Sequence, residues 1–466
     1  LTLVCCLKSG LRPGTVILKC EMSKNTRIWM YILSGFVAFS LLSNYSLFVI
    51  VRNGTLIHRG KDTETVQSEN TIVVMEINNT SPESEDTSTV KDIVYGDAES
   101  KNGQKNTTLL HNALLMYVDQ QDRHIIQFTL FLYASWKYVM SHRYLKSNVT
   151  IDNATSVPNI IFDLIVYCHP KTCKRLPLDC IPLKHDAILE AIPRCWYTPS
   201  EPLQNFPGYP SGYEFINTFT FLLDDTLDQI AHKYDRILRT DTDVFISPAI
   251  LGWSVEYPLV TGQGGYGSKF SENRLQGIAT KLGLRYQHIN NIGSSWYAEP
   301  GIFLKTVKLA LDLSVHVYNH EFNKSLPGLE GIFHQSVEGK WPEWWRGVST
   351  MYGSELAINH LIPNLTQDHI AFRCMDTDSA DGITPVMKSP HIHCWNRGDF
   401  NKFEFTDKLT GFIKTDVRKL WTQNETTLYL GDLDVSGMTI RQYVTYIAWN
   451  GVLKYVPYMF EKMMAH

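Results

Sequence analysis

The sequence predicts an α/β domain on a mostly parallel sheet flanked by helices, behind one N-terminal transmembrane helix and a disordered stem. Three observations carry this: apolar runs alternating with helical stretches beyond residue 110, one uncharged run near the N-terminus, and a polar interval between them. Of the 466 residues, 44% are hydrophobic and 12% aromatic, too apolar for a disordered chain. Asp and Glu number 47 against 43 Lys and Arg, a formal net charge of -4. That balance lacks the basic face by which a dedicated nucleic-acid binder neutralises phosphates, so no nucleic-acid partner is expected.

The expected segments are a cytoplasmic tail over 1–27, a signal anchor over 28–51, a lumenal stem over 52–110 and a folded domain over 111–466. Ile28 to Val51 runs 24 residues without a charge between Arg27 and Arg52. As a helix it crosses a hydrocarbon core of about 30 Å with room for tilt. Lys8, Arg12, Lys19, Lys24 and Arg27 against Glu21 favour a cytoplasmic N-terminus. The chain starts at Leu1, and Met22 is the expected true start. Acceptor sequons for N-glycosylation begin at Asn53, Asn78, Asn79, Asn106, Asn148, Asn153, Asn323, Asn364 and Asn424, usable only in the secretory lumen. Six cysteines follow the anchor, which in an oxidising compartment predicts up to three disulfides of open connectivity. The stem holds ten acidic residues and a single aromatic, Tyr95, and such a stretch buries too little apolar surface to offset its ordering entropy.

Within the folded domain, Leu114 to Val118 reads as a strand ending at Asp119, Ile125 to Met140 as a helix, and Ile160 to Tyr167 as a second strand. Tyr213 to Tyr234 places Phe215, Phe219, Leu223, Leu227, Ile230 and Tyr234 at steps of four and three, one apolar helical stripe. It leads into Arg236 to Thr240, the expected central strand. In sheets of this kind, ligands bind beyond the carboxyl ends of the strands.

That end carries Asp241-Thr242-Asp243. Two adjacent carboxylates stripped of water repel, and a divalent cation relieves the repulsion. Hard oxygen ligands suit Mn²⁺ or Mg²⁺, ions that keep positions open for phosphate oxygens. An ion bridging a diphosphate would neutralise the charge that develops as a sugar leaves its nucleotide.

Short tail, anchor, stem, and hydrophobic strand–Asp-x-Asp–hydrophobic strand together resemble the Golgi glycosyltransferases of the GT-A fold, whose sheet is Rossmann-like. The segments RILRTDTDVFISP, NIGSSWYAEPGIF, WPEWWRGVSTMYGSELAINH and HIHCW are more specifically similar to an uncharacterised glycosyltransferase-like family known mainly as a domain of unknown function. The resemblance implies a type II Golgi membrane enzyme that moves a sugar from a nucleotide donor, a UDP-sugar first, to a glycan or glycoprotein acceptor. It implies Asp243 as the direct metal ligand, with Asp241 near the ribose or sharing the ion. HIHCW lies where such enzymes supply a third ligand, and His393 is preferred to His391. AEPGIFL, with Gly301, resembles the turn and short strand beside the donor sugar.

Arg239, Gly264 in the loop Thr261–Ser268, Trp345 and Arg346 complete the expected donor set, since Arg forks bind phosphate and indole faces stack on sugars. The loop lacks the lysine of a P-loop and reads as a flexible neighbour of the cleft. Ser349 to Leu361 reads as a helix, and Glu355 on it, or Glu343, is the candidate base for the acceptor hydroxyl. Two other classes compete. One is a phosphohydrolase with the first Asp as nucleophile, for which Asp376 and Asp378 form a later acidic pair. The other is a non-catalytic glycosylated receptor.

Overall fold

The computed structural model describes residues 109–147, 160–184, 192–322, 343–370, 374–395, 401–415 and 433–464, together with four backbone strands near the N-terminus. The chain divides into two units, Leu1–Asn102 and Gly103–His466. In the first, β1 (Val4–Ser9), β2 (Thr15–Met22), β3 (Thr26–Leu33) and β4 (Phe36–Ser40) pair in that order as an antiparallel meander. Extended backbone over 28–33 and 36–40 thus stands where the transmembrane helix was expected. Ile, Val and aromatic residues suit strands as well as helices, and a continuous apolar run does not discriminate between the two by period. Residues 34–35, 41–51 and 52–108 lie outside the described residues, and Leu110, counted with the expected stem, opens a strand. Among the described residues no helix is long and apolar enough to cross a membrane.

The second unit is built on a seven-stranded sheet: β5 (Leu110–Val118), β6 (Ile160–Cys168), β7 (Cys180–Pro182), β8 (Cys195–Pro199), β9 (Arg236–Arg239), β11 (Leu259–Gln263) and β12 (Ile292–Ala298). Their spatial order is β11-β12-β9-β5-β6-β8-β7. β12 alone runs against its neighbours, so the sheet is mostly parallel, as expected. Both faces are covered because the central strands are apolar on both sides. Leu114, Met116 and Val118 enter one core while Ala113 and Leu115 enter the other. The first core packs under the continuous helical segment of α1 (Asp122–Gln127), a π-helical stretch (Phe128–Tyr133) and α2 (Ala134–Ser147), and under the last helix. The second core packs under α5 (Lys269–Lys281), α6 (Pro300–His320) and α7 (Ser349–Leu361). Short helices α3 (Pro170–Cys173) and α4 (Leu227–Ala231), then α8 (Lys402–Thr415) and α9 (Ile440–Met464), complete the set. A separate small sheet joins β10 (Val244–Ile246), β14 (His391–His393) and β13 (Thr377–Asp378), in that order.

Two local expectations are corrected. Tyr213–Tyr234 is a 3₁₀ segment, Glu214–Leu223, broken before α4. Asp224 makes the break by accepting from the Thr226 N–H (2.9 Å), the Thr226 hydroxyl (2.6 Å) and the Tyr167 hydroxyl (2.7 Å). Three residues per turn put Ile216 and Phe219 on the buried face and leave Phe215 58% exposed. After Ala298 the chain forms no strand: Pro300, its φ preset, opens the 21-residue α6, and Gly301 lies in that helix's first turn.

Among the described residues two disulfides form, Cys168–Cys173 and Cys180–Cys195, within the expected maximum of three, while Cys374 and Cys394 remain thiols. Cys180–Cys195 closes a span of 15 residues and staples β7 to β8. Replacing both by Ala is expected to lower unfolding stability by about 3 kcal/mol, read as a shifted denaturant midpoint.

Candidate functional site

β9 delivers its carboxyl end beside β5, where the Thr240 N–H donates to Leu115 O (3.0 Å). The chain turns through Asp241 and Thr242 into β10, which pairs antiparallel with β14, Val244 opposite His393. The Cys394 N–H closes that ladder on Asp243 O (2.9 Å). This register carries the His393 ring to the acidic pair across 150 residues of sequence. Asp241, Asp243 and His393 each offer a ligand atom within 4.8 Å of the other two. His393 Nε2 lies 3.4 Å from Asp243 Oδ1.

The cluster is braced on every side. Ser294 on β12 donates its hydroxyl to Asp241 Oδ2 (2.5 Å), and Ser294 O accepts from Arg239. The Arg239 guanidinium also donates to the Thr218 hydroxyl (2.9 Å) and lies between the rings of Phe219 and Trp296, at 4.8 and 4.7 Å. Burial pulls its pKa down to about 10, against the field of Asp241. Lys402, at the start of α8, forms an ion pair with Asp243 Oδ2. Burial alone would raise the Asp243 carboxyl, but the charges of Lys402 and His393 prevail and hold it far below the usual range. Burial likewise opposes the charge on His393, yet Asp243 and Asp376 hold its pKa up at about 10.

Two carboxylates and one imidazole form a mixed oxygen and nitrogen donor set that fits a divalent ion, Mn²⁺ more readily than Mg²⁺. His391 supports the set from within. It is fully buried, with Nε2 2.8 Å from the Thr240 hydroxyl and Nδ1 accepting from the Asp376 N–H (3.2 Å).

The other expected residues lie elsewhere. Glu355 is fully buried in α7 and accepts from the hydroxyls of Tyr266 and Tyr286 (2.6 Å each) and from the Asn291 N–H (2.7 Å). Gly264, whose N–H donates to Asn291 O (2.6 Å), belongs to the same assembly, and a Cβ there would meet the Tyr266 ring at 2.7 Å. Burial raises the Glu355 carboxyl to about 7, against the lowering effect of the Tyr266 and Tyr286 hydroxyls and the Asn291 and Ile292 main chain. Because the folded pKa exceeds the unfolded 4.5, Glu355 favours the fold fully below pH 4.5 and loses that contribution as pH rises through about 7, a span worth about 3 kcal/mol. Urea unfolding of Glu355→Gln should lack this part of the pH slope, and a slope identical to wild type would refute the assignment. Glu343 and Trp345 are exposed. Arg346 lies 3.8 Å over the Tyr318 ring and donates to Tyr318 O (3.1 Å), at the end of α6.

Sequence reading missed Ser294 and Lys402. It noted Asp119 at the end of β5 without assigning it a role, although the carboxyl-end rule pointed there. Beside that strand end lies a cleft lined by Tyr117, Asp119, His169, Gln204, Glu214 and Asn217. The Tyr117 hydroxyl and Gln204 Oε1 are buried there without a hydrogen-bond partner.

These features define a mixed α/β protein with a carboxylate–imidazole cluster at the carboxyl edge of its sheet. The chain belongs to the family described as "Domain of unknown function (DUF7164)", which matches residues 106–461. No curated protein matches it. Among solved structures, the apo form of the WbbM bifunctional glycosyltransferase is similar at a TM-score of 0.30 and 8% identity, over 74% of this chain and 52% of that one. The chain therefore spans about half the length of that structure, and a likeness of this size carries no functional weight.

Proposed function

We propose that the protein is a metal-dependent glycosyltransferase that takes a sugar from a nucleotide-diphosphate donor. The observation that carries this reading is the convergence of Asp241, Asp243 and His393 at the carboxyl edge of a mostly parallel sheet. These three side chains would hold Mn²⁺, or Mg²⁺, which when bound neutralises the diphosphate as it leaves the sugar. Ser294 keeps the Asp241 carboxylate in place, and Arg239 fixes the carbonyl of Ser294. The cleft beside β5, with its two unpartnered polar atoms, suits the nucleoside end of the donor, a UDP-sugar in the first instance. Glu355, saturated by three donors, is assigned to holding the loop rather than to accepting a proton. The acceptor is a glycan or glycoprotein.

The deciding experiment incubates purified protein with UDP-sugars and Mn²⁺ and measures UDP. No Mn²⁺-stimulated release from any of them would sink the reading. The convergence of Lys402 and Asp376 on the same cluster favours one alternative, an aspartyl-phosphate phosphohydrolase with Asp241 as nucleophile. Phosphate release from a phosphomonoester, abolished in Asp241→Asn, would select it.

We further infer a Golgi setting with the catalytic domain lumenal, from the sequons. Asn364, in an exposed turn at φ 52°, presents one of them. Endoglycosidase is expected to increase the mobility of the expressed protein, and an unchanged band would remove this placement.

A further inference from the structure

Behind the cluster stands a third carboxylate. Asp376 is 1% exposed and holds φ 54°, a left-handed backbone that costs any residue with a Cβ. Its Oδ1 accepts the Ser295 hydroxyl (2.8 Å) and lies between two imidazoles, 3.2 Å from His391 Nδ1 and 3.5 Å from His393 Nδ1. Oδ2 has no hydrogen-bond partner and fills a space left by two glycines on the paired strands β11 and β12. A Cβ on Gly262 would stand 1.7 Å from that oxygen, and one on Gly293 2.9 Å. Two strand positions thus forgo side chains so that a buried carboxylate can sit behind His393.

The tautomers follow from the partners. His391 Nδ1 accepts the Asp376 N–H, so its proton is on Nε2, facing the Thr240 hydroxyl. His391 Nδ1 also lies 3.2 Å from Asp376 Oδ1 but already accepts the Asp376 N–H, whereas His393 Nδ1 lies 3.5 Å from that oxygen and its Nε2 faces Asp243. An imidazole whose Nδ1–H is held by a carboxylate presents the Nε2 lone pair as a ligand, and its ring cannot swing away.

We propose that Asp376, held by Ser295 and seated against Gly262 and Gly293, is a positioning residue that fixes the tautomer and ring orientation of His393 as a nitrogen ligand of the divalent cation. This deepens the metal-site reading of the proposed function and rests on it. The test uses the whole protein, Mn²⁺ as the probe, and pulsed electron paramagnetic resonance, in which a coordinated imidazole adds ¹⁴N modulation to the bound ion's signal. Wild type is expected to bind one Mn²⁺ with nitrogen modulation that His393→Ala removes.

Asp376→Asn is expected to weaken Mn²⁺ about 10- to 100-fold and, at saturating Mn²⁺, to reduce the modulation from the ion still bound. A residue that served only the fold would change the melting temperature and leave the modulation intact. Ser295→Ala, which removes one hydroxyl and retains the charge, tests the same point should Asp376→Asn fail to fold, and a smaller loss of the same sign is expected. Wild-type modulation and affinity in whichever of these variants folds would overturn the proposal, as would Mn²⁺ bound by wild type without nitrogen modulation. Absence of any Mn²⁺ binding by wild type would instead overturn the metal-site reading itself.

Discussion

Asp243→Asn is expected to abolish Mn²⁺-stimulated UDP release, with a loss of at least about 10²- to 10³-fold, the scale on which removal of one group that stabilises transition-state charge is felt. Asp243 occupies the centre of the cluster: one oxygen faces His393, the other Lys402, and its carbonyl closes the β10–β14 ladder on Cys394. Asn keeps the shape and the main-chain bond but removes the charge that would hold the cation. It also leaves Lys402 without its ion-pair partner and His393 with Asp376 alone. Removing one member of a buried ion pair costs about 3–5 kcal/mol, and the partial exposure of these side chains, 13–18%, places the expected loss toward the lower end. Activity and melting temperature should therefore fall together, but by different mechanisms. Adding Lys402→Met to Asp243→Asn removes one of the stranded cations, so stability should partly recover while activity does not. A variant that retains Mn²⁺-stimulated turnover within threefold of wild type would remove Asp243 from the metal site.

The sheet was legible in the sequence because its central strands are short apolar runs with turn residues at their ends, and parallel strands buried on both faces need nothing more elaborate. Asp241 and Asp243 were legible for a related reason: polar residues directly after such a run emerge at the sheet's carboxyl edge. His393 could be guessed only by resemblance, since the β10–β14 pairing that brings it near spans 150 residues. Lys402 lies 159 residues from Asp243, and one lysine at a helix start carries no local signal of its partner.

Tyr213–Tyr234 failed because a stripe at steps of three and four fits a 3₁₀ segment and a short helix as well as one long α-helix, and Asp224 settles the matter by capping its own turn. Glu355 was legible as a helix residue but not as a buried one. Its three donors come from Tyr266, Tyr286 and Asn291, which only the fold assembles around it. The anchor and stem were read from composition alone, and composition does not report the strands found over 28–33 and 36–40.

The charge pattern of the cluster sets the second large effect, the pH dependence of cation binding. Without an ion, Asp241, Asp243 and Asp376 face Arg239, His393 and Lys402, three formal negatives against three formal positives. His393 has a folded pKa of about 10 against an ordinary 6.5, so the stability it adds is complete below pH 6.5 and is lost as pH rises through about 10. Asp243 is depressed, so its contribution is present above the ordinary carboxylate pKa and is lost as pH falls below it toward the depressed folded value. A cation that takes His393 as a ligand must expel the proton that this arrangement retains. Below pH 10 one proton then leaves per ion bound, and apparent Mn²⁺ affinity should rise about tenfold per pH unit between pH 6 and 8. Lys402 opposes the ion through charge rather than through proton exchange. A unit charge about 4 Å away is worth about 1–4 kcal/mol at surface dielectrics, so Lys402→Met should tighten Mn²⁺ about tenfold or more while leaving the pH slope unchanged. His393→Ala should flatten the slope while weakening the ion. Calorimetric titration of the three proteins at pH 6, 7 and 8 separates the two roles: a wild-type affinity independent of pH would remove His393 as the ligand that gives up a proton, and weaker binding in Lys402→Met would make Lys402 a helper of the cation rather than its competitor.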